Sequence, residues 1–300
     1  MIISASRRTD IPAFYSRWLL RRLEEGEVLV RNPVRPGQVS RISLAPENVD
    51  ALVFWTKNPA PFLPQLPVIA SMGYSFYVLF TITPYGERIE PGVPGIETRV
   101  EVFRALSRLL GRERVIWRYD PVILGGGMDA DWHAGAFRYL ASRLSGSTCR
   151  CMFSFLDDYR KTRQRMAGIS GTAPDLQAVS ALAGRFARAA AGHGISLFTC
   201  SHAIDLSCHG IMHGCCIDPG LIELIAGRRL SRIRKDRGQR KACGCAESRD
   251  IGSYDTCQHG CRYCYAVSGR AGFSRGPRCL HDPGAPMLCD RLRGDETVFG

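Results

Sequence analysis

The sequence has none of the features that mark a membrane or exported protein. No segment approaches the roughly 18 consecutive apolar residues that a membrane helix requires. The opening MIISASRRTD has no charged region followed by a long apolar stretch, which argues against a signal peptide. We therefore expect a cytoplasmic protein with no membrane partner.

Lysine is scarce in this chain. It occurs only as Lys57, Lys161, Lys235 and Lys241, although lysine and arginine together number 40 against 28 acidic residues. The net charge of +12 is therefore carried almost entirely by arginine. A field of this sign attracts phosphates and other anions, so a nucleic-acid partner is one interpretation. A solvated basic surface without a ligand is the other.

Cysteine is absent before Cys149, yet eleven of the 13 cysteines lie between Cys200 and Cys289. In a chain without an export signal, this distribution argues against a disulfide framework and for metal binding or redox chemistry. It divides the chain into a body over 1–202, a cysteine-rich region over 203–268, and a tail rich in glycine, proline and arginine over 269–300.

Short apolar runs alternate with segments of helical periodicity along the body. The predicted strands are Ile2–Ser6, Val28–Arg31, Leu52–Thr56, Phe76–Thr83, Val115–Tyr119, Met152–Leu156 and Ile195–Cys200. The predicted helices are Pro12–Glu25, Glu97–Leu110, Asp131–Leu144, Asp175–Ala191 and Pro219–Ala226. Strands that are apolar on both faces indicate a parallel sheet covered by helices. Some six βα units predict an α/β fold, a partial or full (β/α) barrel, with Val28–Arg31 and Val39–Leu44 as a local hairpin.

Polar residues follow most of the predicted strands. In a (β/α) barrel the chemistry takes place at the carboxyl ends of the strands. The residues at these positions are Ser6 to Asp10, Thr56 to Asn58, Thr81, Thr83, Arg118, Asp120, Asp157, Asp158, Ser201 and His202. Each one alone fits a loop cap or an ion pair, but their recurrence predicts a site at one rim of the barrel.

The most specific motif is a set of three cysteines, Cys257, Cys261 and Cys264, in the spacing C-x3-C-x2-C. Thiolates on one tight loop can bind three corners of a [4Fe-4S] cluster, whose irons are normally held by cysteine. The fourth iron then has no protein ligand and is open to a substrate or cofactor. Zinc sites usually combine pairs of C-x2-C, which is a different spacing.

This motif, with the aromatic Tyr263 before its last cysteine, resembles the signature of the radical S-adenosylmethionine (radical SAM) enzymes. The resemblance implies a (β/α) barrel with the cluster at its top and S-adenosylmethionine bound to the open iron beside Tyr263. It also implies reductive cleavage of that cofactor to methionine and a 5′-deoxyadenosyl radical. The electron would come from a reductase, a flavodoxin or a ferredoxin.

The rest of the chain resembles the DNA-repair-photolyase-like (spore photoproduct lyase-like) branch of these enzymes. The resemblance rests on Thr9-Asp10-Ile11-Pro12, Thr56-Lys57, Phe80-Thr81-Ile82-Thr83 and Asp120-Pro121-Val122-Ile123. These segments occur in the family's order, but the cysteine motif comes last instead of first, which predicts a circularly permuted barrel. The amino-acid sequence as a whole closely resembles the family called domain of unknown function 1848.

The resemblance also implies roles for individual residues. Thr9, Asp10 and Lys57 are expected near the methionine end of S-adenosylmethionine, and Arg118 and Asp120 on the adenosyl or substrate side. Lys57, Arg118 and Asp120 are thereby candidate catalytic residues beside the three cysteines. A nucleic-acid base or nucleotide is the first candidate substrate, with a peptide or small metabolite next.

A second metal site is predicted from four other cysteines, Cys200, Cys216, Cys243 and Cys245. These cysteines fit three interpretations: a closed, fully cysteine-ligated iron–sulfur cluster, a structural zinc ion, or thiols without a ligand. Their spacing in the sequence does not distinguish the cluster from the zinc ion. His202, His209 and His213 lie nearby and could replace one ligand. The remaining cysteines with no recognisable metal motif, interpreted as structural or incidental, are Cys149, Cys151, Cys279 and Cys289.

Two other classes of protein compete with a radical enzyme. A nucleic-acid-binding protein with structural zinc accounts for the charge and the cysteines, but not for the C-x3-C-x2-C spacing or the rim residues. An iron–sulfur electron-transfer or sensor protein would bind iron without cleaving S-adenosylmethionine.

Overall fold

The structure is a computed structural model that describes residues 1–157, 159–169, 175–200, 204–231, 233–268, 281–294 and 296–300. Four residues named above, Asp158, Ser201, His202 and Cys279, lie outside the described residues. Helices and strands alternate along most of the chain.

The strands are β1 (Ile2–Ala5), β2 (Glu27–Arg31), β3 (Gln38–Ser43), β4 (Ala51–Thr56), β5 (Phe76–Thr81), β6 (Val115–Val122), β7 (Arg150–Phe155), β8 (Ser196–Cys200), β9 (Met212–Gly214), β10 (Arg249–Asp250) and β11 (Thr297–Phe299). The α-helices are α1 (Ile11–Phe14), α2 (Ser16–Glu25), α3 (Leu66–Ser71), α4 (Ile96–Leu110), α5 (Ala130–Leu144), α6 (Arg163–Met166), α7 (Leu176–Ala191) and α8 (Pro219–Ala226). Short 3-10 helices span Pro46–Asn48, Ala60–Gln65 and Ser207–His209.

Eight strands form one parallel sheet in the order β10-β1-β4-β5-β6-β7-β8-β9. The predicted parallel sheet is confirmed. Among the described residues the sheet is open, with β10 and β9 at its two edges, as in a partial (β/α) barrel. The predicted hairpin is also confirmed: β2 pairs antiparallel with β3, and β11 joins β3 in parallel.

The two faces of the large sheet bury different sets of side chains, because successive residues of a strand point to opposite faces. On the helix face, Phe54, Val78 and Trp117 pack with residues of α2, α4, α5 and α7. On the second face, Val53 and Leu79 belong to a separate cluster. Its other buried members are Ile2, Ala51, Tyr77, Ile116, Met152, Cys216, Ile217, Leu221, Ile222, Cys243, Cys245 and Ala246. The cysteine-rich region therefore covers the second face.

The structure departs from the sequence prediction in several places, and helices α3 and α6 are among the elements that were not predicted. The single helix predicted over Pro12–Glu25 is divided at Tyr15, whose φ of −134° is not helical and whose hydroxyl donates to the Thr256 carbonyl at 2.6 Å. Strands β9, β10 and β11 were not predicted. Part of the tail contributes to the body, because Trp18 Nε1 donates to the Ala285 carbonyl and Leu288 joins the core.

None of the helices in the described part of the chain is long and apolar enough to cross a membrane.

Candidate metal and cofactor site

A cavity of about 1300 Å³ lies at the carboxyl ends of the parallel strands. Residues that follow β1, β4 and β7 line it, together with the end of β6, Cys200 at the end of β8 and the loop after β10. The residues that were given a catalytic, cofactor-binding or metal-binding role above all line this cavity: Thr9, Asp10, Lys57, Arg118, Asp120, Cys200, Cys216, Cys243, Cys245, Cys257, Cys261, Tyr263 and Cys264. Of the wider set of rim residues, Asn58 and Thr83 do not line it. The structure thus brings both predicted cysteine groups to the same opening.

The loop that carries Cys257, Cys261 and Cys264, here called the motif loop, lies beside the start of the chain. Strand β10 precedes it and pairs in parallel with β1 at the sheet edge. The Asp250 carboxylate fixes this junction by accepting hydrogen bonds from Ser6 Oγ at 2.6 Å and from the backbone N–H of Arg7 at 2.8 Å. Within the large sheet, the last strand in sequence is therefore adjacent to the first strand in space.

Asp10 and His259 connect the motif loop to the body. One Asp10 oxygen accepts from the N–H of Ala13 and caps α1, while the other accepts from the N–H of Lys57 at 2.7 Å and contacts His259 Nε2 at 2.7 Å. His259 Nδ1 lies 3.0 Å from the Gly92 carbonyl. Both ring nitrogens thus face oxygen atoms in a buried site, so the ring is held from both sides.

The segment after β5 holds the motif loop from its other side. Gly92 donates to the His259 carbonyl at 2.8 Å, and Arg262 donates to the Ile89 carbonyl at 3.0 Å. A Cβ atom at Gly92 would lie 2.9 Å from the carbonyl oxygens of Gln258 and His259, so the close approach requires glycine. The three cysteines are therefore held on a loop anchored at two sides.

Lys57 takes part in a buried charge cluster. Its ammonium lies 2.9 Å from Glu90 Oε1 and 5.6 Å from the centre of the Tyr263 ring. Glu90 is fully buried, accepts from the Tyr263 hydroxyl and from Thr83 Oγ1, and lies 3.6 Å from Arg99. Burial alone would raise the pKa of Glu90, but Lys57 and Arg99 outweigh it and lower that pKa. The carboxylate therefore stays ionised between two cations.

The three motif thiols lie in a mostly enclosed environment. Cys261 is 6% exposed, and Cys257 and Cys264 are partly exposed to the cavity. Burial raises the pKa of all three thiols. Their sulfurs are not all within 4.8 Å of one another, so they do not form the compact set that a single ion requires.

The other four cysteines, here called the four-thiol group, lie much closer together. The sulfurs of Cys200, Cys243 and Cys245 are all within 4.8 Å of one another and could hold a metal ion. Cys216 Sγ is 3.3 Å from Cys200 Sγ. Hydrogen bonds from the Cys200, Cys216 and Cys243 thiols lower the pKa of Cys245.

The neighbouring histidines and thiols are engaged elsewhere or stand apart. His209 Nε2 contacts Ser180 Oγ at 2.8 Å, and His213 Nε2 contacts the Ala242 carbonyl at 2.7 Å. Cys151 is buried in the helix-face core, and Cys208 is exposed.

Arg118 and Asp120 pair with each other on the wall of the cavity that both cysteine groups line. The Arg118 guanidinium lies 4.9 Å from the centre of the Trp55 ring, and Ser154 Oγ donates to Asp120. Burial opposes the charge of Arg118, but Asp120, Cys216 and Cys200 raise its pKa. The guanidinium therefore offsets negative charge on both the carboxylate and the four-thiol group.

Sequence reasoning missed three residues that position the site: His259, Glu90 and Asp250. His259 stands between Cys257 and Cys261, where the cysteine spacing alone gives it no role. Glu90 and Asp250 occur in segments without strand or helix periodicity, and only their burial in the fold shows that each needs a partner.

Comparison with known proteins gives few relatives. No curated protein matches the chain. The solved structure of a morphinone reductase is similar over 70% of this chain and 59% of its own length, with 16% identity and a TM-score of 0.29, so the chain spans less than two thirds of that protein. A similarity this low carries no argument about fold or function.

The family comparison is decisive. A family model described as "Domain of unknown function (DUF1848)" matches residues 2–266, which include the eight-stranded sheet, the four-thiol group and the motif loop. The chain belongs to the DUF1848 family.

Proposed function

We propose that this protein is a radical SAM enzyme whose [4Fe-4S] cluster is held by Cys257, Cys261 and Cys264. When bound, the cluster and S-adenosylmethionine would supply the chemistry, a one-electron reductive cleavage that yields a 5′-deoxyadenosyl radical. A reductase, flavodoxin or ferredoxin would provide the electron. The residues of the chain bind, orient and shield these groups.

The observation that carries the proposal is the arrangement of the motif thiols at the cavity. They come from one anchored loop, face the cavity, and are farther apart than the ligands of a single ion. Cysteines that bind different irons of one cluster are separated in this way, because each ligates its own corner. The donor set therefore fits a cluster with one iron open to a further ligand.

A polar group beside the motif loop supports a bound cofactor. The Thr9 hydroxyl is buried and has no hydrogen-bond partner among the described residues, although it lines the cavity. A buried hydroxyl without a partner costs free energy unless a ligand satisfies it. Thr9 is in this proposal a direct contact of S-adenosylmethionine, in keeping with the resemblance.

Asp10 and Lys57 have internal partners, and this gives them more specific roles. Asp10 uses both oxygens on the chain itself, so we assign it as a positioning residue that fixes His259 and the motif loop. Lys57 shares Glu90 with Arg99, so two cations face one carboxylate. The surplus positive charge at the cavity wall suits the carboxylate of the cofactor.

The substrate class rests on weaker support. Arginines that line the cavity are paired with acids, as in Arg7 with Asp236 at 3.1 Å and Arg118 with Asp120. The arginine excess of the sequence therefore does not form a bare cationic wall here. A nucleic-acid base or nucleotide remains the first candidate through the photolyase resemblance, with Arg118 and Asp120 on the substrate side.

The test is anaerobic purification followed by an iron and sulfide count and electron paramagnetic resonance of the reduced protein, with and without S-adenosylmethionine. We expect about four irons per chain, a spectrum that the cofactor perturbs, and formation of 5′-deoxyadenosine. Cys264→Ser should abolish all three, whereas Cys208→Ser, at an exposed thiol outside both groups, should abolish none.

Two outcomes would contradict the proposal. Iron whose spectrum is indifferent to S-adenosylmethionine, without 5′-deoxyadenosine, would indicate an electron carrier or sensor. Zinc without iron would indicate a zinc-stabilised binding protein, and the basic charge would then point to nucleic acid.

A further inference from the structure

The four-thiol group joins the two edges of the open sheet. Cys200 ends β8 and Cys216 follows β9, at one edge. Cys243 and Cys245 precede β10, which is the opposite edge. Residues at the two ends of the eight-stranded sheet therefore meet at one point, where the Ala246 N–H also donates to the Ile217 carbonyl at 3.1 Å.

Three of the four sulfurs form a set compact enough for a single ion, and Cys216 Sγ adjoins that set through Cys200. Zinc binds thiolates at about 2.3 Å, which places neighbouring sulfurs of a tetrahedral site about 3.8 Å apart. Cys200 Sγ and Cys216 Sγ are 3.3 Å apart, and Cys200, Cys243 and Cys245 are all within 4.8 Å of one another. A cubane cluster would spread the same sulfurs over four different irons.

The surroundings are those of a structural site. Cys216, Cys243 and Cys245 belong to the apolar cluster on the second face and are at most 4% exposed. The N–H of Ile217 donates to Cys245 Sγ at 3.4 Å, a contact that favours thiolate. Arg118, on the cavity side, offsets the negative charge that four thiolates leave around a divalent ion.

We propose that Cys200, Cys216, Cys243 and Cys245 hold one structural zinc ion that links the two edges of the sheet. The donor set is closed, so the ion has no open position for substrate. A redox-inert ion suits a cross-link, and four thiolates are a ligand set that zinc accepts. This inference is independent of the proposed reaction, because it concerns a different set of thiols.

The first measurement is metal content and zinc-edge X-ray absorption of the unaltered protein, purified anaerobically. We expect about one zinc per chain with four sulfur ligands at about 2.3 Å. About eight irons without zinc, or a zinc spectrum with oxygen or nitrogen ligands, would overturn the inference. Because this uses the natural chain, it does not depend on how a variant folds.

The second measurement compares Cys245→Ser with Cys208→Ser. Cys245→Ser should lose the zinc and give a lower thermal midpoint, whereas Cys208→Ser should keep both. Full zinc retention in Cys245→Ser would overturn the inference. If Cys245→Ser does not accumulate, refolding the natural chain with Co²⁺ alone should give the thiolate charge-transfer bands of tetrahedral cobalt, and absence of those bands would count equally against it.

The two proposals fail separately. Iron content and S-adenosylmethionine cleavage report on the motif thiols, whereas zinc content and its sulfur ligands report on the four-thiol group. One zinc per chain without cofactor cleavage would leave this inference standing and remove the radical enzyme.

Discussion

The motif loop and the four-thiol group use the same residue type in different ways. The motif thiols come from one stretch of eight residues, lie apart from one another and face a cavity with polar walls. The four-thiol group collects sulfurs from three separate segments between Cys200 and Cys245 and places them close together among apolar side chains. The comparison teaches that backbone anchoring keeps thiols available for a large group with an open position, whereas core packing brings them together around one ion.

The largest expected effect is on the free energy of unfolding when the four-thiol group loses its metal. The motif loop should not show this effect, so it distinguishes the two groups. Structural zinc sites have apparent binding energies of about 10 kcal/mol, which bounds the loss of unfolding free energy. We expect Cys243→Ser to lower that free energy by several kcal/mol, and Cys261→Ser to lower it far less while abolishing cofactor cleavage. Calorimetry beside a cleavage assay checks both. A similar loss of stability in the two variants would show that the groups are not distinct in role.

The next effect concerns the buried charges beneath the motif loop. Glu90→Gln leaves Lys57 and Arg99 without their counter-charge, and breaking a buried pair in this way costs about 3–5 kcal/mol. Denaturant unfolding measures the loss. Glu97→Gln, at an exposed carboxylate paired with Arg143, should cause no measurable change.

The same carboxylate predicts a pH dependence. The pKa of Glu90 is lower in the folded protein than in the unfolded chain, so the unfolded chain binds more protons as the solution is acidified. Its contribution to stability is present above the unfolded pKa of about 4.3 and is lost as pH falls through the lower folded value. Stability curves of natural and Glu90→Gln protein should converge over that acid range, and parallel curves would contradict the assignment.

An element of the fold could be predicted from the sequence where its own residues carry the pattern that defines it. Strand alternation and helix periodicity predicted β4 to β8 and α4, α5 and α7 to within a few residues, because each buries a regular pattern of its own. Strands β9 and β10 have three and two residues, and they exist only through pairing with β8 and β1. No local pattern marks such strands.

The residues of the candidate site can likewise be divided into those that a local sequence signal predicts and those that only the fold identifies. The motif thiols are evident from spacing, and the four-thiol group follows from a count of the remaining cysteines. Their separations depend on where the chain folds back on itself, so the distinction between a cluster and a single ion needed the structure. Likewise, His259 and Glu90 acquire roles only from contacts with residues 249 and 33 positions away.

A smaller effect is expected at His259, which supports the motif loop but not the four-thiol group. Hydrogen bonds to charged groups contribute about 1.5–3 kcal/mol, so His259→Ala should lower stability by that order. Because Asp10 then loses its contact with the loop, affinity for S-adenosylmethionine should fall while zinc content stays unchanged. Isothermal titration and metal analysis check this, with His213→Ala, at an exposed ring, as the control. Unchanged cofactor affinity would remove His259 and Asp10 as positioning residues.

The smallest effect tests whether the two groups influence each other through Arg118, which lines the same cavity. Arg118→Lys keeps a positive charge beside Asp120 but loses the planar contact with Trp55, a change of about 1 kcal/mol. Zinc and iron contents should both be retained, because neither group uses Arg118 as a ligand. Arg118→Met removes the charge, so the thiolates of the four-thiol group lose their nearest compensation and zinc should dissociate faster to a competing chelator. Equal zinc release from Arg118→Lys and Arg118→Met would show that charge at this position does not matter, and the two groups would then share a cavity without sharing electrostatics.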